Sequence, residues 1–343
     1  MQNAQSAVAP AIAVENMVVR IGGDETGFDV VRDVSLVVQP GETVCIVGES
    51  GSGKTLTALA LMGLHTAPVN VTRGRVTIGD VDVTGLSERK LAGLRGDQVA
   101  MVFQDPMTSL NPVLTIGEQI REVIAAHRKG LGRRELDDMA EDILKRVGIP
   151  APRQRLSAYP HQLSGGMRQR ILIAMAVANG PRLIIADEPT TALDVTIQAQ
   201  VMDVMRASVA ESGAALLLIT HDIGLVAETA DRVLVMYAGQ IVEEGSVFDV
   251  LGQPRHPYTR ALMASVPRPS MSPAEDLVAL GGEPPRLNNL PPGCSFRPRC
   301  THSGGRPQCV ESEPRLRPIS GSQRSACHFA EELVSRIFEE GRV

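Results

Sequence analysis

Long hydrophobic runs are absent from this sequence of 343 residues. No stretch approaches the roughly 20 apolar residues that a membrane-spanning helix needs. The first residues, MQNAQSAVAPAIAVENM, also lack the basic region followed by an apolar run that is typical of a signal peptide. These absences predict a protein of the cytosol, where thiols stay reduced.

An excess of basic residues is absent as well. The chain has 34 Lys and Arg against 39 Asp and Glu, which gives a formal net charge of −5, and the cations are scattered. A protein that binds mainly nucleic acid needs a basic patch or stripe facing the phosphates. The charge pattern therefore argues against nucleic acid as the main partner.

Cysteine is scarce, and the close cysteine pairs of ordinary zinc sites are missing. Cys294, Cys300, Cys309 and Cys327 have five, eight and seventeen residues between them. A reducing compartment makes disulfides the weaker interpretation. Four thiolates suit an iron–sulfur cluster or zinc, and free thiols are the third possibility. The fifth cysteine, Cys45, lies in an apolar run and is interpreted as a small core residue.

Three short apolar runs predict buried strands: TVCIVG (43–48), LIIAD (183–187) and ALLLIT (215–220). Each ends at a polar or glycine-rich turn, as strands buried on both faces of a parallel sheet do. Segments 74–83 and 232–245 instead have the pattern of antiparallel hairpins. Because helical patterns lie between the strands, the predicted fold class is α/β.

Residues 115–157 have apolar side chains at helical spacing and no strand signal, so they predict helices. Proline and glycine dominate residues 266–292, which indicates a linker. The segment that follows, about residues 290–330, is too small and too polar to build a firm apolar core. We therefore expect a covalent or metal staple at its cysteines.

The segment GESGSGKT has two of its three glycines, a lysine and a threonine at the spacing of a phosphate-binding loop. Glycines let backbone N–H groups close around phosphate oxygens. Lys54 brings a positive charge to the β and γ phosphates, Thr55 offers a hydroxyl to Mg²⁺, and the next helix points its positive dipole end at the phosphates. The alternative is a plain glycine turn. The predicted cofactor-binding residues in this segment are Gly48, Glu49, Ser50, Gly51, Ser52, Gly53, Lys54 and Thr55.

Two acidic residues end the second apolar run. Asp187 is predicted to hold Mg²⁺ through water, and Glu188 to polarise the attacking water in phosphoryl transfer. A surface acidic pair is the alternative, although buried acids would be costly as structure alone. His221 follows the third run, at the strand end where ligands of α/β sheets bind. It is predicted to reach the γ phosphate or the water, unless it is a structural histidine.

The segment LSGGMRQR, residues 163–170, predicts the start of a helix. Ser164 is a good N-cap, Gly165 and Gly166 follow, and the helix continues until Gly180. Besides an ordinary capped helix, this pattern suits a second anion-binding helix start. Its distance along the chain from the phosphate loop would allow it to serve a nucleotide held by another subunit.

These motifs, in this order, resemble the ATP-binding-cassette (ABC) ATPases. The segments are GESGSGKT, FQDP with Gln104, LSGGM, LIIADE, ALD ending at Asp194, and His221, within about residues 12–250. The resemblance implies a RecA-like core with an antiparallel β subdomain and a helical subdomain. It also implies a head-to-tail dimer that sandwiches two ATP molecules. Each ATP would lie between one subunit's phosphate loop and the other subunit's signature at Ser164, with Asp194 at the seam.

The resemblance gives Gln104 a role as well. It implies that this side chain reaches Mg²⁺, together with Thr55 and Asp187, and couples the catalytic centre to a helical subdomain that touches a membrane permease. One position departs from the family. At the end of the first strand, Ile21 stands where a ring usually stacks on adenine, and the nearest aromatic residue is Phe28.

Longer segments resemble the ATPases of oligopeptide, dipeptide and nickel importers: FQDPMTSLNP (103–112), YPHQLSGGMRQR (159–170), ADEPTTALDVT (186–196) and HPYTRALMASVPRP (256–269). The implied function is ATP hydrolysis that energises peptide import across the cytoplasmic membrane. The implied partners are a second ATPase in a heterodimer, two permeases and an extracytoplasmic peptide-binding protein. The implied location is peripheral, on the cytoplasmic face of the bacterial inner membrane.

The resemblance also implies a division of the chain. An ABC ATPase domain is expected over 12–252, with its helical subdomain at about 105–165, and a C-terminal importer-type region over 253–343. Because such importers often carry a proline-rich tail with cysteines, the resemblance favours a [4Fe–4S] cluster on the cysteines of residues 294–327. Zinc is the alternative.

Two other classes of function stay open. Cassette ATPases also act on DNA or ribosomes, although the single cassette, the lack of basic runs and the importer-like tail argue against that class for this chain. A redox or iron sensor could also be built on the cysteines, with ATP hydrolysis as its output. Copurification with permeases separates the first class from an importer, and ATPase rates with and without the metal centre test the second.

Overall fold

The computed structural model of this chain describes residues 9–23, 26–191, 193–265 and 280–333. Contacts between Cα atoms divide these residues into two compact units. Within the described ranges, unit 1 comprises residues 9–13, 37–42 and 76–218, and unit 2 comprises 14–36, 43–75 and 219–333. Half of the predicted linker, residues 266–279, lies outside the described residues.

Strands and helices are interspersed along the described residues. In chain order the strands are β1 (Ile12–Ile21), β2 (Phe28–Val38), β3 (Thr43–Val47), β4 (Val69–Ile78), β5 (Val81–Asp82), β6 (Val99–Val102), β7 (Leu183–Asp187), β8 (Ala215–Thr220), β9 (Arg232–Tyr237), β10 (Gln240–Ser246), β11 (Arg317–Ser320) and β12 (Gln323–Ser325). The helices are α1 (Lys54–Leu61), α2 (Glu88–Leu94), α3 (Pro106–Ser109), α4 (Ile116–His127), α5 (Arg133–Arg146), α6 (Pro152–Arg155), α7 (Gly165–Val177), α8 (Val195–Ser212), α9 (Ile223–Thr229), α10 (Val247–Gly252), α11 (Pro257–Ala264) and α12 (Gln308–Glu311).

Unit 2 contains a sheet with the strand order β11-β12-β10-β9-β3. β3 and β9 are parallel, with Val44 opposite Arg232. β9 and β10 form an antiparallel hairpin, and β12 then pairs antiparallel with β10 at Glu243 and Ser325. Four of the five residues of β3 are buried, which explains its continuous apolar sequence. Most of β1, β2 and β4 also belong to this unit, in a second sheet.

The parallel pair β6 and β7 lies in unit 1, with Val99 opposite Leu183. All five residues of β7 are buried. Helices α4 to α8 follow β6 or β7 in the chain, and side chains cap the N-terminal ends of α4, α7 and α8. Thr115 and Glu118 form a reciprocal capping box at α4, since each side chain accepts the backbone N–H of the other residue. The end of β4 pairs with β5 in the same unit.

The main elements agree with the sequence predictions. The three apolar runs are β3, β7 and β8, and both hairpins are present, with Ala238-Gly239 at the β9–β10 turn. Residues 115–157 are helical without a strand. The α/β fold class is thereby confirmed. Among the described residues, no helix has both the length and the apolar character required to cross a membrane.

Candidate functional site

The phosphate loop connects β3 to α1 in unit 2 and contains all eight predicted residues. Gly51 and Gly53 have φ angles of 79° and 105°, in the region that favours glycine. The Lys54 side chain is buried, and its ammonium donates to the carbonyl oxygens of Gly48 (2.7 Å) and Glu49 (2.9 Å). The loop backbone therefore curls around this cation, while Thr55 is exposed at the start of α1.

Neighbouring backbone fixes the shape of this loop. The N–H of Gly239, at the tip of the β9–β10 hairpin, donates to the carbonyl of Ser52 at 2.9 Å. A Cβ atom on Gly48 would lie 2.2 Å from the carbonyl oxygen of Met236, and one on Gly53 would lie 2.8 Å from that of Val30. Because the obstacles are backbone atoms, only glycine fits at these two positions.

Glu49 of the loop has two contacts that sequence reasoning missed. The Arg299 guanidinium pairs with its carboxylate through two hydrogen bonds, and the backbone N–H of Glu49 donates to the Tyr258 hydroxyl at 2.8 Å. Both residues come from the C-terminal third of the chain. Tyr258 lies in the segment HPYTRALMASVPRP, and Arg299 directly precedes Cys300; both features were noted in the sequence. Neither feature indicates a contact with the loop.

The predicted acidic residues lie at the end of β7 in unit 1. The Asp187 side chain is buried. Glu188 has a φ angle of 45°, an uncommon left-handed conformation that turns the chain sharply after the strand. Its Oε2 accepts from the Gln104 side-chain amide at 3.2 Å and from the Thr191 hydroxyl at 2.8 Å. The structure therefore brings Gln104 and Glu188 together, as two of the predicted catalytic residues.

Two helix starts meet in unit 1. The Ser164 hydroxyl caps α7 by accepting from the N–H of Met167 at 3.4 Å, and the Asp194 carboxylate caps α8 by accepting from that of Ile197 at 3.0 Å. A Cβ atom on Gly166 would lie 2.5 Å from Cγ2 of Ile197, so the helix starts are in close contact. Ser164, Gly165 and Asp194 lie at the surface of the helix starts, with Ser164 and Gly165 exposed.

The remaining residues predicted to contact the nucleotide lie at strand ends. His221 directly follows β8 and is exposed, and Asp222 after it caps α9 by accepting from the N–H of Leu225 at 3.1 Å. Ile21 ends β1, and Phe28 begins β2; both side chains are partly exposed. The role of His221, like the other residue roles assigned from the sequence, stays a prediction.

The four C-terminal cysteines line one pocket in unit 2, together with His256, Phe296 and Phe329 among others. The N–H of Cys294 donates to the carbonyl of Cys309 at 2.9 Å. Burial raises the pKa of the Cys294 thiol to about 11 and that of Cys327 to about 12. These groups therefore remain neutral thiols at neutral pH unless a metal replaces the proton.

The metal prediction for these cysteines is not supported. In the part of the chain that the structure describes, no three His, Cys, Asp or Glu side chains are arranged to hold a metal ion. The cysteines share a pocket without forming such a group. The structure thus gives no support to the expected cluster on Cys294, Cys300, Cys309 and Cys327, or to zinc. Cys45 is buried in β3, as expected of a core residue.

Comparisons with known proteins identify the family. The dipeptide transport ATP-binding protein DppD of Escherichia coli (strain K12) is 46% identical over 316 residues, which cover 92% of this chain and 95% of DppD. The putative peptide import ATP-binding protein BMEII0863 of Brucella melitensis is 48% identical over 316 residues, 89% of this chain and 93% of that protein. This chain belongs to the ABC transporter ATP-binding proteins of the oligopeptide and dipeptide type.

Two family matches locate the parts of this ABC protein. The ABC transporter family matches residues 31–191, and the oligopeptide/dipeptide transporter C-terminal region matches residues 242–309. The oligopeptide transport ATP-binding protein OppD of Mycobacterium bovis is 44% identical over 329 residues, 96% of this chain. The chain spans about half, 53%, of the length of that relative.

Solved structures agree with the family. The ATP-binding cassette MJ0796, in a dimeric post-hydrolysis state bound to ADP and Pi, has a TM-score of 0.61 and 29% identity. The similarity covers 69% of this chain and 98% of that one. The ABC ATPase fold predicted from the motifs is therefore confirmed.

Proposed function

We propose that this chain binds and hydrolyses ATP to energise the import of oligopeptides or dipeptides through a membrane transporter. One observation carries the proposal. The chain combines a cassette with the oligopeptide/dipeptide transporter C-terminal region, and it matches peptide-transport ATP-binding proteins over more than 90% of their length at 46–48% identity. The names of the relatives indicate peptides as the substrate class, and the phosphate loop indicates ATP as the energy source.

In this proposal Lys54 pairs with the β and γ phosphates, and the glycine-rich loop donates its N–H groups to phosphate oxygens. Hydroxyl, amide and carboxylate oxygens are ligands that Mg²⁺ accepts. Thr55, Gln104 and Asp187 would therefore hold Mg²⁺, with Asp187 acting through water. When bound, Mg²⁺ neutralises the charge that develops on the phosphates.

Glu188 is the proposed general base, and its carboxylate polarises the attacking water. The hydrogen bonds from Gln104 and Thr191 support this role, because they hold one carboxylate oxygen in place. His221 is proposed to contact the γ phosphate or the water. Its exposure after β8 is compatible with such a ligand contact.

The proposed assembly is a head-to-tail pair with a second, different ATPase. Ser164, Gly165 and Gly166 would then contact the nucleotide of the other subunit, and Asp194 would lie at the seam. The exposure of Ser164 and the contact between its helix start and that of Asp194 support this arrangement. A first domain over 12–252, with a helical subdomain at about 105–165, and a C-terminal region over 253–343 are the proposed divisions.

The further proposed partners are two permeases and an extracytoplasmic peptide-binding protein, which place the chain peripherally on the cytoplasmic face of the inner membrane. The test is to express the chain with the permeases and the second ATPase and to reconstitute the complex in lipid nanodiscs. Peptide-loaded binding protein should stimulate ATP hydrolysis, and peptide-free binding protein should do so less. If the chain hydrolyses ATP but never copurifies with permeases, the importer assignment is wrong.

The finer cofactor proposal is a [4Fe–4S] cluster on Cys294, Cys300, Cys309 and Cys327. The number and type of donors are those that such a cluster requires, since four thiols line one pocket, but in the described structure they are not arranged as a metal-binding group. Protein purified without oxygen should be brown and contain iron and sulfide in roughly equal amounts. Colourless protein with one zinc per chain would establish the alternative, and metal-free protein with the same fold would exclude both.

A further inference from the structure

The phosphate loop and the cysteine-rich segment, residues 294–327, meet at a partly buried ion pair. Nη1 of Arg299 donates to Oε2 of Glu49 at 2.6 Å, and Nη2 donates to Oε1 at 2.9 Å. Only 4% of the Arg299 side chain and 27% of the Glu49 side chain are exposed. Two parallel hydrogen bonds between a guanidinium and a carboxylate are geometrically specific as well as charged. This pair joins residues 250 positions apart.

Groups other than Glu49 also hold the Arg299 side chain in place. Arg299 lies in a one-turn 3₁₀ helix, Arg297–Arg299, that begins where the N–H of Arg297 donates to the carbonyl of Cys294. Its Nε donates to the carbonyl of Gly281 at 2.9 Å, and the guanidinium carbon lies 5.9 Å from the centre of the Tyr237 ring. The arginine therefore has partners at every nitrogen and little freedom to move.

A second contact holds the backbone of the same loop residue. The N–H of Glu49 donates to the hydroxyl of Tyr258, which is fully buried. The Tyr258 ring packs against Tyr237 at 4.6 Å and against Phe296 at 5.5 Å between ring centres. Phe296 belongs to the cysteine-rich segment. Both the side chain and the backbone of Glu49 are thus held by groups that depend on that segment.

The charge of Glu49 gives this arrangement a functional meaning. A carboxylate in a loop that binds polyphosphate repels the ligand unless a cation neutralises it. We propose that Arg299 is a positioning residue of the nucleotide site, which neutralises Glu49, holds it away from the phosphates and makes nucleotide affinity depend on the folded cysteine-rich segment. This inference rests on the nucleotide binding of the proposed function and adds a residue outside the ABC motifs.

The test is the dissociation constant of ADP with Mg²⁺, measured by calorimetric titration on the full chain. Arg299→Met, which removes the charge and keeps much of the length, should weaken ADP binding by about tenfold or more, as expected when a charged hydrogen-bonded partner is lost. Glu49→Gln removes the carboxylate, and its ADP dissociation constant, whatever its value, is the reference for the double variant. The double variant Arg299→Met with Glu49→Gln should bind ADP within about threefold of Glu49→Gln alone, because no carboxylate remains to repel the phosphates.

A matched control separates this effect from general damage to the C-terminal segment. Arg324 also extends from that segment to a glutamate of the cassette, Glu244 on β10, at 2.8 Å, and its hydrogen bonds do not reach the loop. Arg324→Met should therefore leave the ADP dissociation constant within about twofold of the parent. Arg299→Lys, which keeps one charge without the fork geometry, should lie between the parent and Arg299→Met.

The outcomes distinguish this inference from the proposed function. If the parent binds no nucleotide, the proposed function fails. If the parent binds ADP and Arg299→Met binds equally well, the inference fails alone. A double variant no tighter than Arg299→Met would also overturn it, since a purely structural role predicts no recovery. Should Arg299→Met not fold, Arg299→Lys decides: ADP binding equal to that of the parent contradicts the inference.

Discussion

Glu188 combines a strained backbone with a side chain held from two directions. A left-handed conformation in a residue other than glycine costs about 1–3 kcal/mol and persists where the surrounding structure determines it. In this chain the left-handed conformation points the Glu188 side chain in a different direction from the buried Asp187 side chain before it. Two adjacent acids can then have two different tasks, one at a metal ion and one at a water molecule.

Replacing Glu188 by Gln tests its task. The side chain keeps its size but loses the basic oxygen, so ATP should still bind while hydrolysis falls by about 10²–10⁴-fold. The measurement is ATP turnover in the reconstituted complex, with nucleotide binding determined in parallel. Thr191→Val, which removes only one hydrogen bond to the carboxylate, is the matched control and should lose far less. Near-normal turnover in Glu188→Gln would mean that another group is the base.

At the level of secondary-structure elements, α7 and α8 meet at two adjacent glycines, Gly165 and Gly166. The two positions differ in the space available for a side chain. A Cβ atom on Gly165 would meet Cδ2 of Leu193 at 3.4 Å, an ordinary contact, whereas one on Gly166 would lie 2.5 Å from Cγ2 of Ile197. Gly166→Ala should therefore lower the free energy of unfolding by about 1–3 kcal/mol through overpacking. Gly165→Ala should leave it unchanged or slightly raised. Urea unfolding of both variants compares them directly, and equal stabilities would contradict the close approach.

Glu243 of β10 connects three elements from a buried position. Its carboxylate accepts from the backbone N–H groups of Arg255 (2.6 Å) and His256 (3.0 Å) and from the side chain of Gln323 (2.9 Å). Burial nevertheless raises the pKa of Glu243 from 4.5 to about 7. Burial also lowers the pKa of His256 from 6.5 to about 3, so this histidine is neutral in the folded protein.

These two shifts have opposite effects on stability. Between about pH 4.5 and 7 the folded state keeps the Glu243 proton and the unfolded state has lost it, so this residue makes the protein less stable as the pH rises. Between about pH 3 and 6.5 the unfolded state protonates His256 and the folded state does not, so this residue makes the protein less stable as the pH falls. The two contributions cancel between about pH 4.5 and 6.5.

Glu243→Gln should remove one of these contributions. On acidification from pH 7 to pH 4.5, the parent should gain stability relative to the variant by about 1.4 kcal/mol per pH unit. Taking the difference between the two proteins cancels the titration of all other groups, and denaturant unfolding at several pH values measures it. A constant difference across this range would show that the pKa of Glu243 is not raised.

Strands with a strong local sequence pattern could be predicted from the sequence, and strands without one could not. The apolar runs of β3, β7 and β8 identify the strands, because strands buried on both faces have a continuous apolar sequence. β11 and β12 have no such pattern, since RPIS and QRS are short and polar. β12 is a strand through its pairing with β10, and β11 through its pairing with β12. Local sequence holds no information about such distant pairing.

The same limit explains the candidate site. The phosphate loop, Gln104 and Glu188 belong to motifs whose spacing is fixed, so the sequence predicts them. Arg299 and Tyr258 contact Glu49 from more than 200 positions away, and no motif spacing expresses such a contact. The cysteine prediction is not supported because four thiols in a short segment establish a donor set without establishing the geometry around an ion.

At the scale of the whole molecule, the signature at Ser164 is expected to act on another subunit's nucleotide. The isolated chain should therefore be a poor ATPase, with activity that rises with concentration or with addition of the second ATPase. Turnover measured across a dilution series, together with the molecular mass from light scattering, tests this expectation. Full activity in a protein shown to be monomeric would contradict it.

The pairing of β12 with β10 also bears on how the chain folds as it is made. An unpaired strand edge is a template for pairing with other chains. β10 ends at Ser246, and the strand that covers its edge begins at Gln323, about 80 residues later. At about 5–20 residues per second, synthesis leaves that edge uncovered for several seconds after β10 has emerged. β12 therefore covers the edge of β10 only late in synthesis. A ribosome that stops before Gln323 would release a cassette whose β10 edge is free to pair with other chains.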